Sequence, residues 1–352
     1  MKILHIASEN VAGVPGILIN AERKLGHYSR LITYFSSPTS QWDDIVLNLP
    51  FSNISLLISI KRLMKLGTYK HQYRKGNPPE WNPKFIEKVL YLIRDIIWDY
   101  RIRPIMDFIR SFDWYILDGG LGILRCGKII ESLKMMGKKI AILYLGSDLR
   151  SRGALIKIEN LADIVFTTEF DHLFIHPEIN HIFFPFEVDK FKPKELLKNE
   201  KLTICHAPTN RYLKGTKYLI DAIESINSKY DFDFLLMENL PHEKVLKLKE
   251  DRCDVLVDQL TDLGGYGYGM NSMECLSMGI PCVTYMNPKY EKFIPDHPFI
   301  NANKDNIREV LEGILSKPAI LIKKGWIGRE WVMENHHHMK VSHKILKLME
   351  KI

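Results

Sequence analysis

The sequence has few cysteines, and none stands at a spacing used by metal or redox motifs. The five are Cys126, Cys205, Cys253, Cys275 and Cys282, and they form no Cys-x-x-Cys pair. An odd number of cysteines also does not complete a disulfide framework. A reducing, cytoplasmic setting is therefore expected.

Long apolar runs are missing too. The longest candidate, residues 54–60, is interrupted by serines and is far shorter than the roughly 20 residues needed to cross a bilayer. The first residues, Met-Lys-Ile-Leu-His-Ile, lack a long apolar core followed by a small-residue cleavage site, so no signal peptide is expected. Peripheral attachment to a membrane stays open.

Disorder is not expected, because the composition is that of ordinary globular proteins. Hydrophobic residues make up 46% and charged residues 26% of the 352 positions, which is enough apolar material for packed cores. A single core rarely grows past about 250–300 residues. Two domains are therefore expected.

The formal net charge of +7 is concentrated in one stretch. Residues 52–110 contain twelve Lys or Arg and five Asp or Glu, a local excess of seven. Aromatic residues are interleaved with these charges: Tyr69, Tyr73, Trp81, Phe85 and Trp98. Such a stretch is typical of contact with anionic lipid or an anionic acceptor, and equally of a solvated helical face. Nucleic acid is not expected as a partner, because no reading module is recognisable.

Strand and helix patterns alternate from the N-terminus. Residues 2–8 predict a strand, 17–25 a helix ended by Gly26, and 30–35 a second strand. Further predicted elements are an amphipathic helix at 84–100 and strands at 113–117, 139–145 and 162–167. Loops at the carboxyl ends of such strands are where open α/β sheets bind ligands. Two of them are Asp118-Gly119-Gly120 and Gly146-Ser147-Asp148.

The same pattern restarts after a proline-rich stretch at 185–193. Predicted strands are 202–206, 232–237, 255–258 and 282–285, and predicted helices are 216–227, 241–250 and 270–278. Alternation of this kind indicates parallel sheets covered by helices. We expect two doubly wound α/β domains facing each other across a cleft, residues 1–190 and 191–352, with a hinge at 186–200. The last helix, at about 341–351, could pack on either domain.

A glycine-containing loop, residues 8–16, joins the first strand to the first helix. Gly13 and Gly16 allow the backbone to approach a ligand closely. The loop does not have the Gly-x-Gly-x-x-Gly spacing of dinucleotide-binding proteins, which weakens a dehydrogenase interpretation.

A basic turn precedes a helix in the second half of the chain. It contains Arg211 and Lys214, directly after a predicted strand. Two cations and the positive end of a helix could neutralise the charge that grows on a departing nucleoside diphosphate. The alternative is a solvated basic turn.

A glycine-rich loop also precedes a helix, at residues 264–269. Its amides could hold phosphate or sugar oxygens. Glu274, one turn into that helix, could accept hydrogen bonds from a ribose diol. Glycines also make tight turns without a ligand, so a purely structural role is the alternative.

The run from Tyr266 to Pro281 resembles the Glu-Gly-Phe-Gly-x-x-x-x-Glu-Ala-Met-Ala-x-Gly-x-Pro signature of retaining GT-B glycosyltransferases, family four in particular. The similarity includes the opening strand and loop, residues 146–150, Val188-Asp189 and Lys214-Gly215. The resemblance implies a GT-B fold, a ribose contact from Glu274 and diphosphate contacts from Lys214 and Arg211. Other donor contacts would come from the loop and the start of its helix: Tyr266, Gly267, Tyr268, Gly269, Met270 and Asn271.

The sequence departs from this family pattern at three positions. Tyr266 stands where the family has its first glutamate, and its phenol carries no charge near neutral pH. Thr209 stands where the usual arginine precedes the lysine, and Leu145 where many relatives have a histidine. Asp148 remains, either to orient an acceptor hydroxyl or donor sugar or to cap a helix.

No metal ion and no cofactor are expected. The run His336-His337-His338 cannot place three adjacent helical side chains around one ion. No Asp-x-Asp motif stands at a strand end to hold a divalent ion on a diphosphate.

The sequence thus predicts a hexosyltransferase-like enzyme of polysaccharide biosynthesis. It would move a sugar from a nucleotide-sugar donor to a glycan or lipid-linked acceptor without metal, in the cytoplasm or on the inner face of the membrane. The family resemblance implies retention of configuration. Two alternatives remain: a catalytically silent protein that binds a nucleotide sugar or a partner, and a GT-B sugar-nucleotide epimerase.

Overall fold

Two parallel β-sheets organise the chain, each in its own compact unit. The computed structural model describes residues 1–36, 44–52, 78–198, 200–263 and 265–352. Unit 1 comprises Met1–Pro185 and His338–Ile352, and unit 2 comprises Phe186–His337. The division falls at the start of the proline-rich stretch.

Unit 1 is built on seven strands. They are β1 Lys2–Ala7, β2 Tyr28–Thr33, β3 Ile45–Val46, β4 Trp114–Asp118, β5 Lys139–Tyr144, β6 Ile164–Thr167 and β7 Asn180–His181. The helices among its described residues are α1 Val14–Lys24, α2 Phe85–Ile102, α3 Met106–Arg110, α4 Lys128–Met135, α5 Ile156–Glu159 and, at the end of the chain, α13 His338–Met349. The strand order is β3-β2-β1-β4-β5-β6-β7, and the pairings are parallel.

Both faces of this sheet are buried, which explains why its strands are almost continuously apolar. Successive side chains of a strand point to opposite faces. On β1, Ile3 packs in one core, with Ile116 of β4, while Leu4 and Ile6 pack in a second core, with Leu117. The predicted doubly wound arrangement of unit 1 is confirmed.

The C-terminal helix α13 belongs to unit 1, although its sequence lies beyond unit 2. Val341, Ile345 and Met349 of α13 join the same core as Val14 and Leu18 of α1. Their spacing of about one helical turn places them on one face of α13.

Unit 2 has a five-stranded parallel sheet in the order β12-β11-β10-β8-β9. The strands are β8 Leu202–His206, β9 Phe232–Leu236, β10 Val255–Val257, β11 Cys282–Thr284 and β12 Ile300–Asn301. The helices are α6 Arg211–Lys214, α7 Thr216–Ile226, α8 His242–Arg252, α9 Met270–Ser277, α10 Pro288–Phe293, α11 Ile307–Ser316 and α12 Ile320–Asn335. The sequence predicted β8 to β11 and the helices α7 to α9 within about two residues.

The amphipathic helix predicted at 84–100 is present as α2, and much of its apolar side is exposed. Phe85 is 79% exposed, Leu90 54% and Ile96 64%. The buried side chains of α2 include Asp95, whose carboxylate accepts a hydrogen bond from the Cys126 amide, and Trp98. Helix α2 therefore buries Asp95 and Trp98, while several of its apolar side chains lie at the surface.

Much of the basic stretch at 52–110 lies outside the described residues, including Tyr69 and Tyr73. Among the helices that are described, none combines the length and apolar character needed to span a membrane.

Candidate functional site

Lys214 is the last residue of the short helix α6, which Asn210 caps at its start and Gly215 ends. The Asn210 side chain caps α6 by accepting a hydrogen bond from the Leu213 amide at 3.0 Å. Gly215 then takes φ = 71°, a left-handed conformation that glycine adopts without strain, and α7 follows at Thr216. This break allows Lys214 to turn toward β10.

The Lys214 ammonium group is bound by two side chains that follow β10. Its Nζ donates to Asp258 Oδ1 at 2.6 Å and to Gln259 Oε1 at 3.2 Å. An ammonium group has three donors, and the described residues accept from two of those of Lys214.

Asp258 joins Lys214 to the start of helix α9. Its Oδ2 accepts from the Ser272 hydroxyl at 2.7 Å and from the Gly269 amide at 3.3 Å. Burial opposes ionisation of this carboxyl, but Lys214 together with Ser272 and Gly269 holds the pKa of Asp258 below its usual value. The site thus contains a buried ion pair directly at a helix N-terminus.

The glycine-rich loop needs Gly267 for packing. Gly267 has φ = 79°, and a Cβ there would lie 2.4 Å from an atom of the Tyr290 ring. A Cβ at Gly269 would stand 3.8 Å from Lys214 Nζ. Lys214 therefore lies beside the N-terminus of α9, and a helix N-terminus favours an anion.

Glu274 lies on α9, buried and held through both carboxylate oxygens. Oε1 is 2.6 Å from His242 Nε2, and Oε2 accepts from Lys249 Nζ. Burial opposes the charge of Lys249, but Cys275 and Glu274 outweigh it and raise the pKa of the lysine. A carboxylate has about four lone-pair sites, so Glu274 can still accept from a ligand hydroxyl.

Asn271 connects the Lys249–Glu274 ion pair to the backbone after β8. Its Oδ1 accepts from Lys249 Nζ at 2.7 Å, and its Nδ2 donates to the Ala207 carbonyl at 2.7 Å. Asn271 therefore positions Lys249 beside Glu274. The other predicted residue at the start of α9, Met270, is partly buried.

Sequence reasoning did not identify Lys249, His242 or Asp258. A signal for Lys249 exists, because Val245 and Lys249 are four residues apart on α8 and both are buried. Residues at that spacing share one face of a helix. A lysine on an otherwise apolar face indicates a buried partner for its charge.

Two predicted site residues have other partners. The Arg211 guanidinium binds both carboxylate oxygens of Glu238 at the exposed surface. Tyr268 packs on Phe299, with ring centroids 4.6 Å apart, and its hydroxyl lies 2.9 Å from His336 Nε2. The structure gives both residues structural contacts and does not bring either to Lys214.

The other predicted loop residue of unit 2, Tyr266, is partly buried. No charged group replaces the family glutamate at this position, since a tyrosine phenol is neutral below a pH of about 10.

In unit 1, three loops predicted at strand ends meet around one cavity of about 170 Å³, which we name the strand-end cavity. Its lining includes Glu9 after β1, Asp118 at the end of β4 and Asp148 after β5. Parallel strands bring their carboxyl ends to one edge of the sheet, which is why loops distant in sequence meet.

The glycine loop beside this cavity is fixed by Asn10. The Asn10 side-chain oxygen accepts from the Gly16 amide at 3.1 Å, and its carbonyl accepts from the Gly13 amide at 3.2 Å. Gly13 has φ = 73°, a left-handed conformation that favours glycine at this position. The two predicted glycines build the turn into α1.

The Asp148 carboxylate accepts hydrogen bonds from backbone amides of its own loop. One oxygen accepts from the Gly146 and Leu149 amides at 2.9 and 2.8 Å, and the other from the Leu145 amide at 2.8 Å. The carboxylate thus fixes the turn after β5.

A buried charged triad underlies the strand-end cavity, and sequence reasoning did not identify it. His5 Nε2 is 3.1 Å from Glu22 Oε1, and His5 Nδ1 is 3.6 Å from Asp118 Oδ2. Burial disfavours the imidazolium, but the carboxylates of Glu22 and Asp118 raise the pKa of His5 to about 10. Burial also raises the pKa of Asp118. The alternation along β1 and β4 explains the contact, because His5 shares a sheet face with Ile3, and Asp118 with Ile116.

No protein-family model and no curated protein matches this sequence. Solved structures resemble it in fold. An α-glucosyltransferase in complex with UDP and a 13-mer DNA containing a HMU base shares 10% identity and a TM-score of 0.62, with 99% of each chain covered. Sucrose-phosphate synthase from Thermosynechococcus elongatus shares 13% identity and a TM-score of 0.58, with 100% of this chain and 99% of that chain covered.

The lipopolysaccharide outer core galactosyltransferase WaaB shares 12% identity and a TM-score of 0.58, with 100% of both chains covered. The chain therefore has the GT-B fold, as predicted, with two parallel-sheet α/β domains. At these identities the likeness establishes the fold alone.

Proposed function

We propose that this protein is a glycosyltransferase that moves a sugar from a nucleotide-sugar donor to a glycan or lipid-linked acceptor. The observation that supports it best lies in unit 2, where Asp258 holds Lys214 beside the N-terminus of α9, about one helical turn from Glu274. A diphosphate and a ribose are separated by about that distance in a nucleotide. GT-B neighbours solved with UDP make the same donor class the first to test here.

In the proposed reaction, Lys214 and the α9 amides stabilise the charge that develops on the leaving diphosphate. Glu274 accepts hydrogen bonds from the ribose, oriented by Lys249 and His242. These donors act without a divalent ion. Retention of configuration is the proposed stereochemistry, on the resemblance of residues 266–281 to the retaining family signature.

The experiment begins with thermal-shift and calorimetric screening of UDP, GDP, ADP and their sugars, since a ligand that binds only the folded state raises its apparent stability. Nuclear magnetic resonance of the stabilising nucleotide sugar then follows its fate. Release of nucleoside diphosphate with transfer or hydrolysis of the sugar supports the proposal. Conversion of the sugar without acceptor identifies an epimerase, and binding without turnover identifies a silent protein. Either result overturns it.

A lipid-linked acceptor on an anionic membrane is the acceptor class we propose. The support is the exposed apolar face of α2, which includes Phe85, Ile86 and Ile93, beside lysines of the basic stretch such as Lys84 and Lys88. Apolar side chains that enter the interface together with basic groups give reversible binding.

Vesicle flotation tests this acceptor class. The protein is expected to float with anionic vesicles at low salt and to be released at high salt, and Ile86→Glu with Ile93→Glu is expected to abolish flotation. Lys24→Glu, at an exposed position on α1 outside the stretch, is the matched control. Equal failure to float with neutral and anionic lipid makes a soluble acceptor the better proposal.

A further inference from the structure

Three arginines lie together in unit 1 with little opposing charge, and we name them the arginine cluster: Arg94 on α2, Arg125 before α4 and Arg152 after β5. All three guanidinium groups act electrostatically on the hydroxyl of Tyr34. Burial lowers the pKa of Arg125 to about 10, and the like charges of Arg94 and Arg152 lower it as well.

Within the described residues, one ion pair reaches this cluster, from Arg94 Nη2 to Asp95 Oδ1 at 2.8 Å. Asp95 also accepts a hydrogen bond from the Cys126 amide at 2.8 Å. Arg152 donates to the carbonyls of Gly119 and Gly153 and meets no carboxylate in this part of the chain. Among the residues that the structure describes, one carboxylate is thus ion-paired with the three arginines, which leaves about two of their positive charges without an ion pair.

Several buried donors of the cluster also lack acceptors among the described residues. They are Nε and Nη1 of Arg125, Nε of Arg94 and Nε1 of Trp81. Buried polar groups in proteins are normally hydrogen-bonded, and exceptions call for a physical reason. All four groups are N–H donors, so the complementary ligand is one that only accepts.

Aromatic rings hold the two guanidinium groups in place. Arg125 Cζ lies 4.2 Å from the ring centroid of Tyr91 and 4.8 Å from that of Trp81. Arg94 Cζ lies 4.1 Å from the ring centroid of Trp98. Stacked guanidinium groups keep their planar edge of N–H donors available for an oxyanion.

Residues of the arginine cluster and Trp81 line two cavities. Arg94 and Arg125 line a cavity of about 90 Å³, and Arg125 and Trp81 line a neighbouring cavity of about 320 Å³. The smaller cavity shares Ser8 and Leu121 with the strand-end cavity. A ligand in the strand-end cavity would therefore have the arginine cluster beside it.

We propose that the arginine cluster binds a phosphate monoester carried by the acceptor, an inference that rests on the proposed transferase function. A phosphate monoester carries about −1.5 to −2 charges at pH 7 and offers three acceptor oxygens. It matches both the uncompensated charge of the cluster and its set of unpaired donors. A carboxylate, with one charge, leaves part of the cluster uncompensated.

Calorimetric titration of the full chain with glycerol 1-phosphate, at constant ionic strength, tests the site. Wild type is expected to bind, with glycerol and acetate as non-binding comparisons. Arg125→Gln and Arg94→Gln are each expected to weaken binding about tenfold or more, the usual loss for a hydrogen bond to a charged group. Arg125→Lys, which keeps the charge and loses the planar fork, is expected to be intermediate.

The matched control is Arg110→Gln, at a surface arginine that is 44% exposed, where affinity is expected to stay within about twofold. Circular dichroism and thermal midpoints establish that each variant is folded. If Arg125→Gln does not fold, the affinities of Arg125→Lys and Arg94→Gln are compared with that of wild type instead. Undiminished affinity in those variants overturns the proposal, as does the absence of any binding to wild type.

Two further arms identify the source of the phosphate and separate this proposal from the transferase function. Inorganic phosphate, glycerol 1-phosphate and vesicles containing phosphatidic acid distinguish a free ion, a soluble acceptor and a lipid acceptor. UDP binding is measured on the same variants and is expected to be unchanged in Arg125→Gln. Phosphate binding that is lost in Lys214→Ala and retained in Arg125→Gln places the anion at α9 and overturns the arginine site.

Discussion

Lys214 Nζ lies 2.6 Å from Asp258 Oδ1, so a buried carboxylate anchors the cation that is proposed to hold the diphosphate. The lysine is 15% exposed and the aspartate side chain is fully buried. The pair fixes the ammonium group beside the Gly269 amide before any ligand arrives. Pre-organised donors stabilise developing charge better than donors that must first reorganise.

Lys214→Ala is expected to lower turnover about 100-fold to 1000-fold, as for loss of one donor at a developing anion. It also leaves Asp258 buried without its cation, which is expected to cost on the order of 3 kcal/mol of unfolding free energy. Adding Asp258→Asn should recover stability and leave turnover low. Lys217→Ala, at an exposed lysine on α7, is the control. Turnover within threefold of wild type in folded Lys214→Ala protein removes the lysine from the site.

Glu274→Gln is expected to weaken UDP binding about tenfold, because a charged acceptor for the ribose diol becomes a neutral amide. The preference for UDP over 2′-deoxy-UDP should fall in the same variant, which separates a ribose contact from a general loss of fold. Calorimetry with both nucleotides measures the two affinities. Glu243→Gln, at an exposed position on α8, is the control, and an unchanged preference in Glu274→Gln contradicts the ribose assignment.

Lys249→Met is expected to destabilise the protein by about 3–5 kcal/mol, the usual cost of leaving one member of a buried ion pair uncompensated. The double variant with Glu274→Gln should recover much of that loss, because the orphaned charge is removed as well. Urea unfolding measures both. Lys247→Met, at a lysine that is 67% exposed on the same helix, is expected to change stability by less than about 1 kcal/mol.

Activity is expected to persist in excess EDTA. The proposed diphosphate site relies on Lys214 and backbone amides, which need no metal ion. Donor turnover is measured with and without EDTA, and then with Mg²⁺ or Mn²⁺ restored. Loss of turnover on chelation that either ion reverses would show that a metal holds the diphosphate.

Stability should fall as pH rises from about 6.5 to 10 because of His5. Its pKa is about 10 in the folded protein and about 6.5 when unfolded, so the folded state holds the proton more tightly. That contribution is fully present below the unfolded pKa and is lost as pH rises through the folded one. Glu22 and Asp118 are the groups that face the imidazole.

Urea unfolding of wild type and His5→Asn across this range tests the effect. The decline in unfolding free energy is expected to be smaller in His5→Asn, while the exposed His343→Asn on α13 should follow wild type. Equal declines in all three proteins assign the pH dependence to other groups.

Local pattern was sufficient for most of the fold. Strand β8 was predicted at its observed bounds, and the glycine-rich loop was placed directly before α9. Such features depend on neighbouring residues, because backbone hydrogen bonding and side-chain direction repeat over two to four positions. The short edge strands β3, β7 and β12 were missed, since two residues carry no period.

The partners of charged side chains were decided by tertiary structure alone. Glu274 of α9 meets Lys249 and His242 of α8, and Arg211 pairs with Glu238, which follows β9. The order of residues along the chain does not give the distance in space between residues that are far apart in sequence. The sequence by itself therefore determined the alternating elements and the places of Lys214 and Glu274 at the starts of helices. Tertiary packing decided that Lys214 pairs with Asp258 and that Glu274 pairs with Lys249.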